Sequence, residues 1–168
     1  MADLPHPDRL DDNAGVLLRL TEEADAEVLT AWLEDPAVHR GWGGRPVSLA
    51  EVREKYTGRR FPAVVSYVIE RDDVACGYLQ AWRSDGHHGL DMFVAAHAQG
   101  RGTGPRAAAL LARRLDALGW RPLTVDPVSP AAVAAWSAAG FARDAGDPDE
   151  DGVVRMTWPG PGRETVPD

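Results

Sequence analysis

The sequence predicts an α/β fold in which helices cover a mixed sheet. Two runs rich in Val, Tyr and Ile, residues 64–70 and 74–83, flank Arg71-Asp72-Asp73 and read as a hairpin. Strands and helices then alternate: strand 89–94, helix 105–118, strand 122–125, helix 130–139. The first of these strands enters its helix through a loop with three glycines, Gly100, Gly102 and Gly104.

Each element has a local reason. Residues 1–13 are polar and Pro-containing and are expected to be loosely ordered. Residues 16–20 read as the first strand. Thr21 is placed to cap a helix whose first turn carries Glu22 and Glu23, where negative charge is favoured. Its apolar positions Ala24, Val28, Ala31 and Trp32 have helical spacing, and it stops near Asp35-Pro36. A short helix over 37–40 leads into Gly41-Trp42-Gly43-Gly44. Ser48-Leu49-Ala50-Glu51 is a capping box opening a helix to about Tyr56. Pro105 suits a first helical position, and Gly119 and Gly140 close the two later helices. Phe141 onward and residues 153–158 read as a final hairpin across an acidic turn. Residues 159–168, with three prolines and two glycines, read as a tail. No internal repeat or domain boundary is visible.

A chain of 168 residues suits one domain and can bury roughly 68–70% of its unfolded surface. The hydrophobic fraction of 44% and charged fraction of 26% are those of a soluble protein. No apolar run approaches the ~20 residues of a membrane span, and no signal peptide is visible. The single cysteine, Cys76, excludes an internal disulfide and a cysteine-rich zinc site, so a cytoplasmic location is expected. A net charge of −8 argues against nucleic acid and suits a cationic ligand.

The glycine loop carries the chemistry. Its N–H groups gather at a helix N-terminus, where partial positive charge favours an anion such as a diphosphate. A P-loop is excluded, because the one lysine, Lys55, lies far upstream. A dinucleotide fingerprint from Gly100 fails at Pro105, although Asp126 stands where a ribose-binding acid would. Gln99-Gly100-Arg101-Gly102-Thr103-Gly104 instead fits Gln/Arg-x-x-Gly-x-Gly/Ala.

That pattern resembles the coenzyme A pyrophosphate loop of the GNAT superfamily of acyl-CoA-dependent N-acyltransferases. The likeness narrows to aminoglycoside 6′-N-acetyltransferases. Ala31-Trp32-Leu33 with Gly41-Trp42-Gly43-Gly44 is similar to their Trp-Leu…Trp-Gly-Gly segment. Gly77-Tyr78-Leu79-Gln80-Ala81-Trp82 is similar to their Gly-Tyr-x-Gln-x-aromatic strand. Gly89-Leu90-Asp91, Thr124-Val125-Asp126-Pro127 and Ala139-Gly140-Phe141 resemble further motifs, in order, over residues 16–158. The resemblance implies a mostly antiparallel central sheet of about six or seven strands, acetyl-CoA as cosubstrate, no metal, and a monomer or homodimer. Two positions depart from the pattern. Trp136 stands where many relatives carry a tyrosine proposed to protonate the departing thiolate, and indole is no usable acid. Ser129 replaces the usual asparagine that touches coenzyme A.

Acetyl transfer needs a neutral amine. Deprotonating an alkyl ammonium of pKa about 10.4 at pH 7 costs roughly 4–5 kcal/mol. A nearby carboxylate lowers that barrier by ordering a water that takes the proton. The resemblance places Asp91 in this role; by itself, an Asp between Leu90 and Met92 could equally cap an edge or pair with an arginine. It likewise implies that Asp126 binds a substrate ammonium, whereas Asp-Pro is also a common turn. The amides of Phe93 and Val94 would face the thioester carbonyl if the strand splays. Gly100 to Gly104, with Gln99, Ser129 and Trp136, would hold coenzyme A. Trp42 and Trp82 are candidate walls of the acceptor site, or core residues. The acidic run that includes Asp144, Asp147, Asp149 and Glu150 either attracts a polycation, with Glu150 as the contact, or is a solvated turn. His87-His88 lacks the partners of a metal site. The expected function is acetyl-CoA-dependent acetylation of an aminoglycoside amine, the 6′-amine by resemblance. The alternatives are acetylation of a protein N-terminus, another polyamine or aminosugar (a 2′-amine included), or a coenzyme A-binding sensor.

Overall fold

The computed structural model describes residues 4–160. It contains one eight-stranded sheet, ordered β1-β2-β3-β4-β5-β6-β8-β7. The strands are β1 (Arg9–Asp11), β2 (Val16–Leu20), β3 (Val64–Arg71), β4 (Val74–Ser84), β5 (His87–Val94), β6 (Leu123–Val125), β7 (Ala142–Arg143) and β8 (Met156–Thr157). All neighbours are antiparallel except β5 and β6.

The eighth strand corrects the expectation of six or seven, and it lies in the segment expected to be loose. Leu10 pairs with Leu18 across β1 and β2. The Asp12 carboxylate accepts the Ala14 and Val16 amides and so closes the turn between them. The Tyr67 hydroxyl and the Trp120 indole donate to the carbonyls of Pro7 and Pro5. Two long side chains from the body of the protein thus tie down a polar segment whose own composition hides it. Of the expected tail, residues 161–168 lie outside the described residues.

The helices are α1 (Ala26–Glu34), α2 (Pro36–His39), α3 (Leu49–Lys55), α4 (Thr103–Ala117) and α5 (Pro130–Ala139). Thr21 does not cap α1; its N–H donates to the Ser66 carbonyl. A 3-10 turn over Glu23–Asp25 precedes the helix, and the Asp25 carboxylate takes the Glu22 N–H and the Arg19 guanidinium. Ser48 caps α3 as expected, accepting the Glu51 N–H. Helix α4 starts at Thr103, two residues before Pro105.

Strand alternation separates two cores. On one face, Leu79, Ala81 and Leu90 pack with Ala107, Ala108 and Leu111 of α4. On the other, Tyr78 and Phe93 pack with Leu29 and Leu33 of α1 and Val52 of α3. Asp91 sits between Leu90 and Met92, so the same alternation turns it away from α4 and toward the α1–α3 side. The sheet then opens beside it. Strands β5 and β6 pair only at His88–Leu123 and Gly89–Thr124, leaving the rest of β5 without a strand on that edge.

Candidate active site

Asp91 is the end of a hydrogen-bonded chain on the α1–α3 face. Ser66 Oγ lies 2.8 Å from the Tyr78 hydroxyl, which donates to Gln80 Oε1 at 2.9 Å. Gln80 Nε2 donates in turn to Asp91 Oδ2 at 3.0 Å. The Trp82 indole makes a second hydrogen bond to the same carboxylate. Burial is the largest influence on Asp91 and lifts its pKa above the ordinary carboxylate value. Gln80, Trp82 and the charge of Arg60 oppose that rise, while the charge of Asp126 adds to it. A carboxylate offers about four acceptor positions, so two donors leave room for an ammonium or a water.

Two cavities meet at Asp91 and Trp42. One, of about 370 Å³, runs over Gln80 toward Tyr56, Lys55 and Arg45. The other, of about 340 Å³, runs past Asp126 toward Ser129 and Trp136. Both fall in the size range of small-molecule sites. Trp42 divides them, held by Nε1 donating to the Tyr56 hydroxyl at 3.0 Å and by an edge contact to Phe93 at 5.0 Å between ring centroids. Trp42 therefore walls the cleft, whereas Trp82 lines neither cavity. Its ring covers Gly89, where an added Cβ would fall 2.2 Å from it, and its indole supports Asp91 from below.

Asp126 borders the second cavity, but its carboxylate already holds Arg155, through Nε to Oδ1 and through Nη2 to Oδ2 at 3.2 Å. A third cavity, of about 230 Å³, starts at this pair and is rimmed by Asp144, Asp147 and Asp149. Glu150 lines none of the three. Asp149 Oδ1 accepts the amides of Asp151 and Val153, which makes that segment a closed turn with Glu150 exposed on it.

At the open edge of β5, the backbone pattern is fixed by two contacts. Ala95 N–H donates to Cys76 on the β4 side, and Val94 O accepts from the Gln99 side chain on the other. Antiparallel alternation therefore directs the Phe93 amide to β4 and the Val94 and Met92 amides to the gap. Of the two amides expected to lie free, that of Val94 points into the gap and that of Phe93 points to β4.

The gap leads to the glycine loop. Gly100 and Gly102 have φ of +76° and +75°, and an added Cβ at either would meet nothing within 4 Å. Gly102 caps α4 without a side chain and Pro105 has no N–H, so the first-turn amides are left for an outside acceptor. Gly104 is glycine for another reason: a Cβ there would press on Val94 at 3.1 Å. Other side chains around the site have partners within the protein. Gln99 clamps α2 to β5 by donating to Ala37 O at 3.0 Å and Val94 O at 3.1 Å. Thr103 Oγ1 and Arg101 O both accept from Arg71 Nη1, at 2.8 and 3.0 Å. Ser129 Oγ caps α5 through the Ala132 amide, and Trp136 is buried edge-on to Phe141.

A family model for the acetyltransferase (GNAT) domain matches residues 16–142. The chain belongs to the GNAT acetyltransferase family. It is an N-acetyltransferase, and the acyl donor of these enzymes is acetyl-CoA. Among solved structures it is similar to AAC(6′)-Ib in complex with paromomycin and acetyl-CoA, at 28% identity and a TM-score of 0.73, over 86% of this chain and 93% of that one. The complex of AAC(6′)-Ib with coenzyme A and kanamycin matches at 26% identity and a TM-score of 0.71, over 84% and 93%. A spermidine N-acetyltransferase SpeG chimera from Vibrio cholerae shares the fold at 18% identity and a TM-score of 0.67, over 85% and 94%. No curated protein sequence matches.

The GNAT donor fits the residues present. The uncapped α4 terminus with its two open glycines suits a diphosphate, and the splay between β5 and β6 leaves a lane from that loop to Asp91. Among the described residues no group of three or more His, Cys, Asp or Glu is placed to hold a metal ion. None of their helices is long and apolar enough to cross a membrane. Sequence reasoning missed Ser66, Tyr78 and Gln80 as supports of Asp91, although alternation along β4 could have placed Gln80 on its face. It also missed Arg71 and Arg155, whose partners are distant in sequence and carry no local signal.

Proposed function

We propose that this N-acetyltransferase moves the acetyl group of acetyl-CoA onto an amine of an aminoglycoside, the 6′-amine by analogy with AAC(6′)-Ib, as a single cytoplasmic domain. The observation that carries the reading is the convergence of Asp91, Asp126 and Trp42 on one cleft beside the splayed edge of β5. Two carboxylates suit a cationic acceptor, and an indole face suits the C–H surface of a sugar.

In this reading the substrate ammonium first exchanges for Arg155 at Asp126 or docks beside Asp91. Asp91 takes its proton, directly or through one water, and the freed nitrogen attacks the thioester carbon. The Val94 amide, aimed into the gap, hydrogen-bonds the carbonyl oxygen as charge builds there. The carbon–sulfur bond then breaks, the nitrogen sheds its second proton to become an amide, and the thiolate takes a proton from that nitrogen or from solvent, since Trp136 has none to give.

A second reading has its own support. Arg45 and Lys55 flank the larger cavity, where Glu51 pairs with both and Asp91 stands on the opposite wall. A wall that carries both signs suits a peptide N-terminus or a monoamine with an anionic neighbour, since cations at one end can meet that anion while Asp91 meets the amine. Thiol release from acetyl-CoA with kanamycin, a 6′-hydroxyl aminoglycoside and an N-terminal peptide distinguishes the two. Turnover with kanamycin alone supports the 6′-amine. Turnover with the 6′-hydroxyl compound too moves the reaction to another sugar amine. Turnover with the peptide alone favours the second reading, and silence with coenzyme A still bound overturns both in favour of a sensor.

A further inference from the structure

The chain behind Asp91 does more than fill space. Glutamine is ambiguous in polarity: turned half a revolution about its last bond, it presents a carbonyl where it presented an amide NH₂. Opposite a carboxylate the two orientations are unequal, because Nε2 donates to the anion and Oε1 repels it. Among the described residues, the one other hydrogen bond that chooses between them is to Tyr78. Burial drives the Tyr78 phenol well above its ordinary pKa, so it keeps its proton. Ser66, 2.8 Å away, can give its own proton to the phenol oxygen and leave the phenolic hydrogen for Gln80. Ser66, Tyr78 and Gln80 are 3%, 0% and 7% exposed, so water does not compete along the chain.

We propose that Tyr78 is a positioning residue, whose buried hydroxyl fixes the Gln80 amide so that Nε2 faces Asp91 and holds the carboxylate as an acceptor for the substrate proton. The proposal rests on the reading of Asp91 as the base. It absorbs the Tyr78-Leu79-Gln80 motif, which the reaction does not otherwise use. Tyr78→Phe removes the hydroxyl but keeps the ring stacked on Phe93. Gln80 is then free to turn its carbonyl toward Asp91 and disfavour the anion. The other groups facing Asp91 stay in place: Trp82 from β4, Arg60 before β3, Asp126 after β6, and Tyr56, Lys55 and Arg40 across the cleft.

The test is the titration of the Asp91 carboxyl carbon in full-length, carboxyl-¹³C-aspartate-labelled protein, with its signal identified by loss in Asp91→Asn. The midpoint is expected to rise in Tyr78→Phe and, by less, in Ser66→Ala. It stays fixed in Tyr67→Phe, which removes an equally buried hydroxyl bonded to Pro7. In kanamycin turnover, kcat of Tyr78→Phe should fall on the order of tenfold, the scale of one buried hydrogen bond, with KM for acetyl-CoA unchanged. An unmoved midpoint in both Tyr78→Phe and Ser66→Ala, or an equal shift in Tyr67→Phe, overturns the positioning role. Full turnover by Asp91→Asn would instead overturn the base itself, whatever the midpoint does.

Discussion

Arg155 grips the Asp126 carboxylate with two nitrogens, so the group proposed to anchor a substrate ammonium is already paired. The pair is solvent-exposed, and exposed pairs contribute about 0.2–1 kcal/mol. An incoming ammonium can therefore displace Arg155 at modest cost. Arg155→Gln should lower KM for kanamycin up to about fivefold, the whole worth of such a pair, and leave the melting temperature nearly unchanged. Steady-state kinetics and a thermal melt check this; a rise in KM would mean that Arg155 itself binds substrate.

Asp91 should trade stability for activity. Its folded pKa is raised by burial, so the folded state holds that proton more tightly than the unfolded chain does. Stability from this group is thus intact below the unfolded pKa, declines as pH rises through the window between the two values, and stays lowered above it. Asp91→Asn removes the ionising group and keeps the acceptor for Gln80. Its melting temperature should exceed that of the wild type at about pH 7, with the difference shrinking as the pH is brought toward about 3.

The glycine loop predicts a separation of donor binding from folding. In Gly102→Ala a Cβ meets nothing in the protein, although φ of +75° strains the backbone by about 1–2 kcal/mol. The methyl projects into the space where a diphosphate would approach the α4 amides. KM for acetyl-CoA should rise about tenfold or more, the loss of one charge-assisted hydrogen bond, while kcat changes little. Arg71→Ala, which releases Thr103 and Arg101, should act in the same direction. Calorimetric titration with coenzyme A reads both variants.

Trp136 should prove structural. It is buried against Phe141 and carries no transferable proton at neutral pH. Trp136→Phe should lower the melting temperature through lost packing, yet keep kcat within about threefold, since indole cannot serve as the acid. A collapse of kcat with unchanged acetyl-CoA binding would reassign the thiolate's proton donor.

Much of this was legible in the chain because it is local. Ser48 caps α3, Pro130 opens α5, and the runs on either side of Arg71-Asp72-Asp73 form the longest hairpin, each by rules that act over a few residues. The glycine loop was legible for the same reason, whereas Asp91 was named from the resemblance of its motif to a known family. What stayed hidden depends on distance in sequence. Strand β1 is held by Tyr67 and Trp120, Thr21 is claimed by Ser66, and Arg155 reaches Asp126 across 29 positions. Trp82 stayed open between wall and core because alternation gives its face but not the glycine beneath it. The side chains of Gln99 and Thr103 are engaged by Ala37 and Arg71, partners that no local motif reveals.

In the proposed reaction Asp91 takes the proton from an aminoglycoside amine. Thiol release from acetyl-CoA with kanamycin, measured side by side for the wild type and Asp91→Asn, tests it most directly. The wild type should turn over, and the variant should lose about 10²–10⁴-fold in kcat, the usual contribution of a general base. Equal turnover by the two proteins, with the variant folded, would contradict it.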